Sequence, residues 1–85
     1  MTFTLAPDVS LTDVGDSMVL LDEKGGRYWQ LNATGAMVLR RLLAGAQVAE
    51  IVETLSERHP AAADRVASDV EAIIEALRAA KVVTR

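Results

Sequence analysis

The chain has 85 residues, 51% of them apolar, with 12 acidic and 9 basic side chains for a net charge of −3. That length carries one domain with a single core, and the absence of cysteine removes disulfides and thiolate metal ligation. The acidic balance argues against a nucleic-acid partner, and no apolar run reaches the roughly 18–20 residues that span a bilayer. Residues 1–8 lack the basic start and long apolar stretch of a secretory signal, so a cytoplasmic globular domain is expected.

The first pattern along the chain is β-rich. Val9-Ser10-Leu11-Thr12 alternates apolar with hydroxyl residues, as a half-buried strand does, and predicts a strand over about 9–14. Gly15-Asp16 marks a turn. Met18-Val19-Leu20-Leu21 is a continuous apolar run, consistent with a second strand over 17–22 covered on both faces. Paired glycines at 25 and 26 suit a hairpin loop, and Arg27-Tyr28-Trp29-Gln30-Leu31 then reads as the returning strand, over about 26–31.

From Asn32 onward the period becomes helical. Asn32 is a good N-cap for a helix over 33–44, whose apolar face is Ala36, Leu39, Leu42 and Leu43, widened by Met37 and Val38. Arg40 and Arg41 suit the C-terminal end of its dipole, and Gly45 suits its terminating residue. Val48, Ile51, Val52 and Leu55 give a second helix over 47–58, which Arg58-His59-Pro60 ends. Val66, Val70, Ile73, Ile74 and Leu77 form the stripe of a third, over 62–80, and residues 82–84 suggest a terminal extended segment. Three antiparallel strands followed by three helices make an α+β layout, helices packed on one face of a small sheet. The whole of residues 1–85 is read as one domain.

Catalytic chemistry finds little support. His59, the single histidine, stands between Arg58 and Pro60 with no partner at ligand spacing and reads as a solvated helix-end cation. No serine lies in a nucleophile elbow, Gly25-Gly26 lacks the Gly-Lys-Ser/Thr ending of a phosphate loop, and Asp13, Asp16 and Asp22 lack calcium-loop spacing. No catalytic residue, metal site or cofactor is therefore expected.

Binding surface is the alternative. Strand alternation places Arg27, Trp29 and Leu31 on one face and Tyr28 and Gln30 on the other. Trp29 either fills the core beneath the helices or stands at a sheet edge whose free amides and carbonyls meet a visiting strand. On the third helix Val66, Asp69 and Ile73 share a flank. Asp69 there is either a solvated acid or the margin of a groove. A DNA-binding winged helix is the rival reading. Against it, the third helix has Asp64, Asp69, Glu71 and Glu75 facing only Arg65, Arg78 and Lys81, which repels phosphates.

The ordered segments Met18-Val19-Leu20-Leu21-Asp22, Gly25-Gly26-Arg27-Tyr28-Trp29-Gln30-Leu31-Asn32, Thr34-Gly35, Ser68-Asp69-Val70 and Leu77-Arg78-Ala79-Ala80 resemble the PqqD-like family. Size and composition make the chain similar to its free-standing members, the precursor-peptide recognition elements of lasso-peptide biosynthesis. The resemblance implies a winged helix-turn-helix domain with three N-terminal strands and three helices. It implies no catalysis: the leader of a ribosomal precursor peptide pairs antiparallel with the third strand and is presented to a separate leader peptidase of cysteine-protease type. The core peptide then passes to a macrolactam-forming synthetase. Carried onto this chain, the leader-binding residues are Arg27, Tyr28, Trp29, Gln30 and Leu31 on the strand, with Val66, Asp69, Val70 and Ile73 as the opposing helix wall. The chain departs from the family at Ala80-Lys81-Val82-Val83, where a glycine is usual after the helix, so a different helix ending is expected.

Overall fold

The computed structural model describes residues 3–84; Met1 and Thr2 of the opening segment and the final Arg85 lie outside them. Five strands and three helices follow one another: β1 (Thr4–Leu5), β2 (Val9–Val14), β3 (Ser17–Asp22), β4 (Arg27–Leu31), α1 (Ala33–Leu43), α2 (Val48–Arg58), α3 (Ala63–Ala79) and β5 (Val83–Thr84), with a 3-10 turn over Pro60–Ala62. The three main strands and three helices match the expected ranges to within about one residue at each end. The strand count does not match: two short strands, β1 and β5, join the three expected.

β2, β3 and β4 form an antiparallel meander in that order. Its register sets Leu11 opposite Leu20 and Leu20 opposite Trp29 on one face, and Ser10, Leu21 and Tyr28 in a row on the other. Only the first face is covered by helices. Met18 and Leu20 are accordingly fully buried, Val19 is half-buried and Leu21 is 41% exposed. The expectation that this strand is covered on both faces is thus corrected: an apolar run does not distinguish a strand inside a sandwich from one whose outer face meets water.

The β3–β4 loop depends on its two glycines for different reasons. Gly26 has φ +69°, in the left-handed region that costs a side chain. Gly25 approaches Asp22 so closely that a Cβ would lie 2.5 Å from Oδ2, because its N–H donates to the same carboxylate at 3.0 Å.

The helices start and stop where local chemistry directs. The side chain of Asn32 accepts from the Gly35 N–H at 2.9 Å, capping α1. At the far end Gly45, φ +92°, donates to the Leu42 carbonyl while Ala46 donates to that of Arg41, the paired bonds of a Schellman ending. The Gln47 N–H donates to the Glu50 carboxylate at the start of α2. Ala36, Val38, Leu39 and Leu42 of α1, Ile51 and Leu55 of α2, and Val66, Val70, Ile74 and Leu77 of α3 converge with Met18 and Leu20 in one core.

Residues at the two ends of the chain close that core. Phe3, Val82 and Val83 are buried in it. β1 pairs antiparallel with β5, Leu5 opposite Val83, and the hydroxyls of Thr4 and Thr84 lie 2.8 Å apart. The extended segment expected over 82–84 is therefore strand β5, and its partner is the chain's own beginning.

Candidate functional site

Among the described residues β4 pairs with β3 on one side only, since it lies at the end of the meander. Every second residue of such a strand leaves its N–H and C=O without a ladder partner. Beside this edge a groove of about 570 Å³ runs between β4 and α3. Trp29, Gln30 and Leu31 form one wall; Asp69, Ile73 and Ala76 stand along the other, with Leu77 buried behind them. The width is set by small side chains, because Ala72, Ala76 and Ala80 also line it from α3.

The strand face divides as alternation requires. Trp29 and Leu31 are half-buried and pack against the core, whereas Tyr28 is 71% exposed on the outer face. Trp29 packs on the core and also lines the groove, so the two positions are not exclusive. Arg27 stacks over Trp29, its guanidinium carbon 5.0 Å from the ring centroid. The same guanidinium donates to Asp22 at 3.3 Å and to the Ala80 carbonyl at 3.4 Å, linking the start of β4 to the end of α3. Asp22 also accepts from Gly25; that bond, with the Arg27 charge, holds its carboxyl below the ordinary 3.8.

The predicted helix wall is only partly a wall. Asp69 and Ile73 line the groove. Val66 and Val70 are core residues, Val70 only 1% exposed, and line a smaller recess of about 190 Å³. That recess adjoins the groove through Thr34, Asp69 and Ile73. Ala72 and Ala76 carry no signal in the sequence, and Ala80 enters there only through the family resemblance. Their spacing of four from one to the next keeps them on the helix flank beside Asp69 and Ile73, yet alanine suits every helix position and so carries no signal of its own.

Among the described residues no group of three or more His, Cys, Asp or Glu is placed to hold a metal. No helix among them is long and apolar enough to cross a membrane. What the arrangement offers is an unpaired strand edge facing an apolar helix flank, with one carboxylate, Asp69, beside it.

A three-stranded meander followed by three helices, with a groove between edge strand and last helix, defines a small α+β class. Residues 17–83 match the model of PqqD, coenzyme PQQ synthesis protein D. The chain belongs to the PqqD family. No curated protein matches it. Among solved structures, a lasso peptide synthetase B1 complexed with the leader peptide is similar over 100% of both chains, with 30% identity and a TM-score of 0.90. TbiB1 in complex with the TbiA(β) leader peptide shares the fold, at 24% identity over 98% of this chain and 94% of that one, TM-score 0.83.

Proposed function

We propose that this chain is a non-catalytic recognition domain spanning residues 1–85, which binds the leader region of a ribosomally made precursor peptide. The leader adds to β4 as an antiparallel strand, in the groove facing α3. Arg27, Tyr28, Trp29, Gln30 and Leu31 supply the strand. Asp69 and Ile73 supply the facing wall, backed by Val66 and Val70. The observation that carries this reading is the unpaired edge of β4 opening onto an apolar groove.

Main-chain ladder bonds provide affinity in such a mode, and pockets for alternate side chains provide selectivity. Family membership and the leader-bound state of the similar B1 protein support the same reading. In it, the meander and helices serve as a winged helix-turn-helix turned to peptide rather than DNA. The domain works in the cytoplasm and passes its leader to a separate cysteine-protease-type peptidase and a macrolactam-forming synthetase.

The test is titration of a labelled leader peptide encoded beside this chain against wild type and Ala76→Trp. Ala76 is exposed on the groove wall, so an indole there fills the groove without entering the core. Loss of binding by the folded variant is expected. Unchanged affinity rules the groove out as the leader site.

A further inference from the structure

The groove does not end with β4. Its lower recess shares Thr34, Asp69 and Ile73 with it, and shares Thr34, Leu55 and His59 with a third recess of about 380 Å³. That third recess is lined by Arg40 and Arg58, with Asp16. Beyond the opposite end, past Ala80, lies a recess of about 270 Å³ lined by Lys24, Arg27 and Lys81, with Asp8 and Asp22. Arg27 joins it to the groove, stacking on Trp29 and donating to the Ala80 carbonyl.

Charge is therefore distributed unevenly for an acidic protein. Five of the nine basic side chains sit at the two ends of this track: Arg40 and Arg58 at one, Lys24, Arg27 and Lys81 at the other. Arg27 and Arg40 are paired to Asp22 and Asp13. Among the described residues Lys24, Lys81 and Arg58 carry no ion pair, and the Arg58 guanidinium donates to the Met37 sulfur, at 3.6 Å. Lys81 moreover holds φ +60°, a conformation that is cheaper for glycine. The middle of the track is different: it is apolar and carries Asp69.

We infer that the ligand of this groove is an extended peptide with an acidic side chain at each end of an apolar stretch. The inference rests on the peptide-binding reading above and adds the charge pattern of the ligand. One acid meets Lys24 and Lys81, the other meets Arg58, and Asp69 disfavours an acid between them. The wall from Ala62 to Ala80 is roughly 27 Å long at about 1.5 Å per helical residue, a length that about eight strand residues cover. The two acids are thus about seven to nine positions apart.

A displayed library of random fourteen-residue peptides, selected on the full chain, tests this. Selected peptides are expected to lose binding to Ala76→Trp and to carry Asp or Glu at both ends of an apolar stretch of that length. Lys24→Glu with Lys81→Glu is expected to weaken them about fivefold, with no further loss when the matching peptide acid is made neutral. Arg58→Glu should do the same for the other acid. Selected peptides that respond to Ala76→Trp but show no acid enrichment overturn the charge pattern and leave peptide binding intact. Peptides indifferent to Ala76→Trp overturn both.

Discussion

Lys81 ends α3 with the backbone shape that Gly45 gives to the end of α1. At each end the residue after the C-cap takes a positive φ, +60° for Lys81 and +92° for Gly45. The hydrogen bonds correspond as well, Lys81 to Arg78 and Val82 to Leu77 on α3, Gly45 to Leu42 and Ala46 to Arg41 on α1. The family resemblance implies a glycine at this position, and a lysine there is expected to alter the helix ending. It does not; the buried Val82 and Val83 that follow, together with the β1–β5 pairing, hold the turn in place.

Strain at Lys81 predicts a stabilising substitution. Lys81→Gly removes the Cβ clash of the left-handed conformation and should add about 1 kcal/mol of stability. For a domain of this size that raises Tm by about 4–8 °C. A thermal scan checks it, and an unchanged or lower Tm would refute the assignment. The same variant should bind acid-ended peptides less tightly, which separates the stability effect from the binding effect.

Val70 and Ile73 stand one turn apart on α3 and should respond in opposite ways. Val70 is in the core, so Val70→Ala should cost about 1–3 kcal/mol of stability with little change in peptide affinity. Ile73 is half-buried on the groove wall, so Ile73→Ala should weaken the peptide while leaving most of the stability. Denaturant unfolding and peptide titration on both variants measure the two effects. Equal loss of affinity in the two would contradict the division between core and wall.

Trp29 is the single tryptophan and lines the groove, half-buried. A peptide laid on β4 covers its remaining exposed surface, so its emission should shift to shorter wavelength on binding. A saturating titration with no spectral change would place the ligand elsewhere.

Asp22 gives a pH signature. Its folded carboxyl sits below the ordinary 3.8 because the Gly25 N–H, first, and then Arg27 favour the ionised form. A depressed folded value means stabilisation that is present above the unfolded value and is lost as pH falls through the folded one. The β3–β4 loop should therefore loosen below about pH 4. A carbon-detected NMR titration of Asp22 should give a midpoint under 3.8, and Arg27→Ala should move it only part of the way back. A midpoint at or above the ordinary value would count against the loop geometry.

Much of this protein follows from its sequence by local rules. Asn32 and Gly45 bound α1, Gly25-Gly26 sets the hairpin, and the spacing of Val66, Val70, Ile74 and Leu77 defines the buried stripe of α3. Each is a preference expressed within a few residues, which is why those boundaries agree to about a residue. The strand from Arg27 to Leu31 is legible for the same reason; its place at the sheet edge is not.

Other features were decided only when distant segments met. A two-residue strand has no period, so β1 is not legible, and the extended segment at 82–84 becomes a paired strand only because positions 4–5 and 83–84 come together. Leu21 sits in an apolar run yet faces outward, because helices cover only one side of the sheet. The groove wall at Ala72, Ala76 and Ala80 is likewise set by what packs opposite, since alanine suits both a core-facing and an open helix position. Sequence determines what each segment tends to form; which of its faces stays open is a property of the assembled layers.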